Sequence, residues 1–208
     1  MTDKISYPYS FSAQELQVIT NFFRKHTDWK KKCFDGIKAA IKEDLRPKQS
    51  NLCCYCKWEL GFDIKEVDIE HIVPKSEYSN YTFHAKNLAL SCPGCNTKKG
   101  TKSVLKSAIT VYPSNGSNIT IVHPHFDNYS QHIKRYPEAI YEGLSDKGRR
   151  TIIYCELDRL KSVLKKMKEA KSRETRIGKL VEELRLSNDF DRTEEIKREL
   201  SELTAEFL

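Results

Sequence analysis

Two pairs of cysteines constrain the fold of this chain more than any other feature. They are Cys53 and Cys56 in the segment CCYC, and Cys92 and Cys95 in the segment CPGC. Two residues between cysteines let both thiolates reach one ion from a tight knuckle, and two such knuckles complete a tetrahedral site for structural zinc. Four thiolates close the coordination shell, so any catalytic chemistry has to come from other residues.

The remaining cysteines are interpreted as buried thiols. They are Cys33, Cys54 and Cys155. Cys54 is not assigned as a ligand, because pairing it with Cys56 would leave only one residue between the two. The N-terminus has no export-signal pattern, which predicts a cytoplasmic protein whose cysteines bind metal or stay free. No apolar run approaches the roughly 20 residues that span a bilayer, so no membrane partner is expected.

Helices are predicted on both sides of the cysteine-rich region. The first covers residues 11–26, where Ser12 and Glu15 have the spacing of a capping box, and the second runs from Asp28 to about Leu45. Helical periodicity resumes at Ser145 and continues through amphipathic segments with a break at 187–191, where Asp191 is the predicted cap of the last helix.

Shorter elements are predicted in the middle of the chain. A hairpin is expected between the first knuckle and residue 73, a helix-forming stretch at 86–91, and short strands on either side of the Asn115-Gly116 turn. The prediction is therefore an α+β protein in three parts. They are an N-terminal helical region at 1–50, a zinc-containing module with a short β extension at 51–140, and a C-terminal helical region at 141–208.

The segment VDIEHIVPKS between the knuckles mixes apolar anchors with two acids and a histidine. His71 follows Glu70 directly, Asp68 lies two residues before Glu70, and Pro74 indicates that the strand ends there. Phosphodiester cleavage needs an activated water and a divalent cation. A histidine that titrates near neutrality suits the general base, and carboxylate and amide oxygens suit Mg²⁺. The net charge of +7 also favours an anionic partner.

Four motifs in residues 52–102 resemble the HNH nuclease superfamily. They are the first CxxC, the acid-His pair before x-x-Pro, the Asn-Leu that leads into the second CxxC, and Cys-Asn-x-x-Lys. The resemblance implies a ββα-metal, treble-clef-like core with structural zinc, flanked by the N-terminal helices and the C-terminal amphipathic region. It also implies a metal-dependent endonuclease.

The resemblance implies a role for individual residues. His71 is the general base, Glu70 and Asn96 are ligands of a catalytic Mg²⁺ or Mn²⁺, and Asp68 shares or replaces the task of Glu70. Asn87 stands where the family has the asparagine that holds the loop and orients the histidine. The basic residues predicted to meet nucleic acid are Lys98, Lys99 and Lys102, with Lys99 on the phosphate.

A second group of histidines follows in the segment IVHPHFDNYSQHI, which contains His123, His125, Asp127 and His132. The cysteine and nuclease sites already account for the metals expected, so this group is predicted to pack against the nuclease module or to line a substrate groove. His84 is predicted to be a loop or capping residue.

A looser resemblance extends beyond these motifs. The spacing of EHIVPKS, CPGCNTKKG, HPHFDNYSQHI and GRRTIIYCELDRL is similar to that in HNH proteins encoded with ATPases in bacterial anti-phage systems of the Septu and retron-associated kind. It implies a DNA-cutting defence effector with an SMC- or ABC-type ATPase partner. The C-terminal helices would be the docking surface or an oligomer contact. RNA as the substrate, and a zinc-stapled nucleic-acid-binding or adaptor module without catalysis, remain the alternatives.

Overall fold

The computed structural model describes residues 3–187 and 189–205. They form two compact units, the first ending at Asp158 and the second beginning at Arg159. The predicted C-terminal region beginning at residue 141 therefore includes a helix of the first unit, α4 (Asp146–Tyr154), which packs on strand β4 (Ile140–Gly143). No helix in the described ranges is both long and apolar enough to cross a bilayer.

Two helices precede the cysteine-rich region. Helix α1 spans Ala13–Phe22, and the predicted capping box is confirmed. The Ser12 hydroxyl accepts the Glu15 N–H at 3.3 Å, and the Glu15 carboxylate accepts the Ser12 N–H at 2.7 Å. Helix α2 spans Asp35–Lys48 and buries Ile37, Ile41 and Leu45 on one face.

The predicted start of the second helix at Asp28 is wrong. Residues His26–Lys30 form a 3₁₀ turn, and the Asp28 carboxylate accepts the backbone N–H groups of Arg24 and Lys25 at 2.8 and 3.1 Å. An aspartate that bonds to preceding backbone groups stabilises a turn instead of a continuous helix. This turn places Trp29 next to the later strands.

The central module is a ββα unit, as predicted. Strand β1 (Asp68–His71) pairs antiparallel with β2 (Leu88–Ser91), so that Asp68 lies opposite Ser91 and His71 opposite Leu88, and helix α3 (Pro93–Lys99) follows. Strand β2 corrects the predicted helix at 86–91. All four of its residues are buried, and pairing with β1 outweighs the helix propensity of leucine and alanine.

The predicted hairpin before residue 73 is also wrong, because β1 pairs with β2. Within the predicted hairpin region only an isolated bridge between Leu52 and Glu59 is described. Around Asn115-Gly116 the described residues form no strands beyond a bridge between Leu105 and Ile119. A hairpin that the sequence did not predict joins β3 (Ile133–Tyr136) to β4.

The second unit consists of helices α5 (Arg159–Leu186) and α6 (Phe190–Thr204), which pack against each other. The predicted break at 187–191 is confirmed. The cap is Asp189 and not Asp191, since the Asp189 carboxylate accepts the N–H groups of Asp191 and Arg192 at 2.9 and 3.1 Å.

Candidate active site and metal centre

The four knuckle cysteines meet in one place. Their sulfur atoms all lie within 4.8 Å of one another, and the sulfurs of Cys56 and Cys92 are 3.9 Å apart. Zn–S bonds of about 2.3 Å in a tetrahedron require sulfurs about 3.8 Å apart, so the cluster fits a zinc ion with little movement. Cys92 also caps α3, because its sulfur accepts the Cys95 N–H at 3.4 Å. A zinc here would tie the first knuckle to the start of α3.

The other cysteines lie outside this cluster. Cys54 and Cys155 are buried, as predicted, whereas Cys33 is exposed and the prediction of a buried thiol is wrong there. Cys33 belongs to a 3₁₀ turn, Lys32–Phe34, in which only Phe34 is buried.

Helix α3 lies along β1 so that two of its polar side chains meet two acids of the strand. The Asn96 amide donates to the Asp68 carboxylate at 2.8 Å, and the Lys99 ammonium lies 2.6 Å from the Glu70 carboxylate. Residues three apart on a helix share a face, and so do residues two apart on a strand. Because Asn96 and Lys99 share one face of α3, and Asp68 and Glu70 share one face of β1, the acids, the amide and the ammonium lie together.

The two contacts differ in accessibility. Asp68 and Asn96 are half-buried and line a groove of about 590 Å³, whereas the Lys99 and Glu70 side chains are only 1% and 2% exposed. Glu70 also accepts a hydrogen bond from Tyr55 at 3.0 Å, and Lys99 donates to the His71 carbonyl at 2.8 Å. The expectation that Lys99 contacts a phosphate therefore does not fit this arrangement, because its ammonium is enclosed and already paired.

His71 is the last residue of β1 and its ring is buried. Its Nε2 lies 3.1 Å from the carbonyl oxygen of Thr82, and the Trp29 ring meets it edge-on with centroids 4.6 Å apart. A carbonyl only accepts, so the neutral ring carries its proton on Nε2 and presents the Nδ1 lone pair. Burial, with a contribution from Lys75, holds the pKa of His71 well below its usual range. The imidazole is thus neutral, with the Nδ1 lone pair unprotonated, although the same burial makes it a weaker base than a histidine that titrates near neutrality.

Asn87 holds the loop that joins β1 to β2. Its side-chain oxygen accepts the Val73 N–H at 2.7 Å, and its amide donates to the carbonyls of Val73 and Tyr81, each at 3.0 Å. Thr82 follows Tyr81, and its carbonyl accepts the hydrogen bond from His71 Nε2. The buried amide therefore fixes the chain on both sides of the segment that orients the histidine.

Comparison with known proteins identifies this arrangement. The family model described as HNH endonuclease matches residues 53–102, which contain both knuckles, β1, β2 and α3. Residues 53–102 are an HNH domain. The fold predicted from the motifs is confirmed over this part of the chain.

Two curated relatives match beyond the knuckles. The chain is 32% identical over 123 residues to the Septu protein PtuB of Bacillus thuringiensis, covering 59% of this chain and 43% of the relative. It is 37% identical over 71 residues to a candidate HNH endonuclease of retron Vc95 from Vibrio cholerae serotype O1 biovar El Tor, covering 33% of this chain and 34% of the relative. The matches thus span less than half the length of each relative.

Around His71 the HNH domain has a cavity of about 160 Å³, which also touches Glu70, Lys75, Asn96, Gly100 and Thr101. Lys75 lines both this cavity and the larger groove beside Asp68. Burial lowers its pKa, with the Glu70 carboxylate opposing the shift. Lys75 was not among the residues predicted from the sequence. Its position directly after Pro74, just beyond the end of β1, was the available signal.

The other two predicted nucleic-acid contacts lie near the end of α3. Lys98 pairs with Glu156 at 2.8 Å, with both side chains about half exposed. Lys102 donates to the Tyr154 carbonyl at 3.0 Å and lies over the Tyr154 ring, 5.8 Å from its centroid. Both lysines connect the HNH domain to the end of α4.

The second histidine group is not brought together as a metal site. Among the described residues, only the knuckle cysteines form a group of three or more metal-binding side chains. His123 accepts the His125 N–H on Nδ1 at 3.2 Å, so its Nε2 carries the proton towards the Tyr112 oxygen at 3.0 Å. Tyr112 in turn donates to Asn87 Oδ1 at 3.1 Å.

The other members of this group, and the separate His84, also contact neighbouring residues of the fold. His125 Nε2 donates to the Leu88 carbonyl at 2.8 Å, and His84 stacks on Tyr112 with ring centroids 4.1 Å apart. Asp127 accepts from Lys147 at 2.7 Å, and His132 Nδ1 lies 2.6 Å from the Ser145 hydroxyl. The first of the two predicted roles, packing against the nuclease module, fits these contacts.

Proposed function

We propose that this protein is a metal-dependent endonuclease that hydrolyses phosphodiester bonds of DNA. The observation that carries the proposal is the position of His71. Its Nε2 is held by Thr82, which leaves the Nδ1 lone pair available, and the ring lines the same cavity as Asn96 and Lys75. A neutral base, an oxygen ligand and a cation around one small cavity match the needs of hydrolysis at a phosphate.

Asp68 and Asn96 are the residues proposed to hold Mg²⁺ or Mn²⁺. The Asn96 amide nitrogen donates to the Asp68 carboxylate at 2.8 Å, so a carboxylate and an amide group that also carries an oxygen lie at one accessible edge, and such oxygens suit hard cations. Glu70 is assigned instead to the buried pair with Lys99. The bound ion would supply positive charge to the phosphoryl and leaving oxygens.

His71 takes a proton from water on Nδ1 as the water oxygen forms its bond to phosphorus. The bond between phosphorus and O3′ breaks, and the leaving oxygen takes a proton from solvent, which gives 5′-phosphate and 3′-hydroxyl ends. Lys75 lies beside the cavity and compensates the negative charge of the phosphate. Asn87 acts only through the loop that orients His71.

A plasmid-nicking assay with Mg²⁺ or Mn²⁺ tests the activity. His71→Ala should lose nicking while keeping its zinc content and its far-UV circular dichroism. His26→Ala, which also changes a histidine at this cavity, should retain most of the activity. A His71→Ala protein that nicks as fast as the wild type would contradict the mechanism. Cleavage of an RNA of matching sequence in preference to DNA would show that the substrate is RNA.

We propose further that the protein is the cytoplasmic nuclease of an anti-phage defence system and acts with an SMC- or ABC-type ATPase. The relatives named for Septu and a retron support this role. The proposed docking surface is the α5–α6 unit, which leaves large apolar side chains exposed. They are Val163, Met167, Val181, Leu186 and Phe190.

Co-purification with an SMC- or ABC-type ATPase, the proposed partner, tests the docking surface. Met167→Glu with Phe190→Glu should abolish the complex, whereas Lys161→Glu with Lys165→Glu should leave more of it intact. If the first pair instead converts an oligomer of the isolated chain to a monomer, the surface joins copies of this protein. Light scattering after size exclusion distinguishes the two outcomes.

A further inference from the structure

Beside α4 lies a basic groove that the nuclease mechanism does not use. Its volume is about 980 Å³, and one wall comes from α4 while the other includes the Leu105–Ile119 bridge. Four cations and one carboxylate line it, so its field attracts anions. These side chains are Lys106, Lys147, Arg149, Arg150 and Asp146.

Two of the four cations are already neutralised. Lys147 pairs with Asp127 at 2.7 Å, and Arg149 pairs with Asp146 at 2.6 Å. Lys106 and Arg150 are exposed and have no carboxylate within 4.0 Å in the described part of the chain. These two positive charges are therefore available to an anionic ligand.

An aromatic ring of the groove contacts a lysine in the segment that leads to the His71 cavity. Tyr154 lines the groove, and the guanidinium of Arg150 and the ammonium of Lys102 each lie 5.8 Å from its ring centroid. Lys102 follows Gly100 and Thr101, which line the His71 cavity. The short segment from residue 100 to residue 106 thus runs from the catalytic cavity to the groove.

We propose that this groove binds the phosphodiester backbone of the nucleic acid being cleaved, to one side of the scissile bond. The inference rests on the proposed function and adds a binding site to it. Unpaired cations along a groove contact successive phosphates of a nucleic-acid backbone. An acidic peptide would satisfy the cations but would make no use of the link to the cavity.

Binding by the full-length protein tests the groove. In a His71→Ala background, the affinity for a fluorescent 30-base-pair duplex is measured by anisotropy at several salt concentrations. Lys106→Gln with Arg150→Gln should weaken binding for every sequence and lower the slope of log K against log salt by about 2. The control, Lys4→Gln with Lys134→Gln, removes the same charge from exposed positions outside the groove and should change the slope by less than about half a unit.

Equal slopes and affinities for the two double variants would overturn the inference, as would the absence of duplex binding or equally tight binding of polyglutamate. Nicking by the otherwise wild-type protein is measured separately. If that protein nicks and the slopes are equal, the groove assignment fails and the nuclease stands. If it does not nick while the slope falls as expected, the groove stands and the nuclease fails.

Discussion

The Lys99 ammonium lies 2.6 Å from the Glu70 carboxylate in a layer between β1 and α3 where neither side chain reaches solvent. Breaking a buried pair by removing one partner leaves an uncompensated charge, which costs roughly 3–5 kcal/mol. Lys99→Met should therefore lower the free energy of unfolding by an amount in this range, measured by denaturant titration in the presence of zinc. The double variant Glu70→Gln/Lys99→Met should recover part of the loss. A Lys99→Met protein as stable as the wild type would show that the pair is not buried.

Metal dependence distinguishes the two acids of β1. Asp68→Asn should raise the Mg²⁺ concentration needed for half-maximal nicking by about tenfold or more. Even substitution of a residue that only hydrogen-bonds to a metal ligand lowers metal affinity or activity by about 10- to 100-fold. Glu70→Gln should act mainly on stability. The measurement is nicking against Mg²⁺ concentration for variants that remain folded. A larger shift in metal requirement for Glu70→Gln would make Glu70 the ligand.

Zinc content checks the knuckle cluster. The purified protein should contain one zinc per chain, and Cys95→Ser should lose it and unfold at a lower temperature, because binding of a structural zinc is coupled to folding. Cys54→Ala, next to a ligand but outside the cluster, should keep the metal. Elemental analysis and thermal melts measure both effects. Retention of zinc by Cys95→Ser would be incompatible with this ligand set.

The Tyr112 hydroxyl links His123 to Asn87, with oxygen–nitrogen and oxygen–oxygen distances of 3.0 and 3.1 Å. Tyr112→Phe keeps the ring stacked on His84 but leaves the buried His123 N–H unpaired, which costs about 1–3 kcal/mol. The loop that orients His71 should loosen, so the rate of nicking should fall with little change in duplex affinity. Tyr7→Phe, at an exposed tyrosine, is the control. Unchanged stability and nicking in Tyr112→Phe would exclude this linkage.

Burial lowers the pKa of His125 from 6.5 to about 4. Between these values the unfolded chain binds more protons than the folded one, so stability is lost as pH falls through 6.5 towards 4. From pH 7.5 to pH 5 this histidine should account for about 2 kcal/mol of the loss. The loss measured by denaturation should be smaller by that amount in His125→Gln, which lacks the titrating ring. Equal pH dependence in both proteins would argue against a buried, neutral His125.

Local patterns determined much of the HNH domain. The spacing of the cysteines predicted the cluster, the capping box predicted the start of α1, and Pro74 predicted the end of the strand that carries His71. The capping box and the end of the strand each depend on residues within a few positions of one another, so the sequence contains their full physical cause. The cluster also needs two knuckles that are distant in the chain, and their shared spacing predicts that one ion joins them.

Only the tertiary structure decided which polar groups are accessible and what each one contacts. The resemblance implied Glu70 or Asp68, together with Asn96, as ligands and Lys99 as a phosphate contact. The packing of α3 on β1 pairs Glu70 with Lys99 in the interior and leaves Asp68 and Asn96 at the accessible edge. Lys75 and the groove cations became candidates in the same way. Burial and pairing depend on chain segments that meet in space. A buried charged side chain is stable only when a partner many residues away supplies the opposite charge.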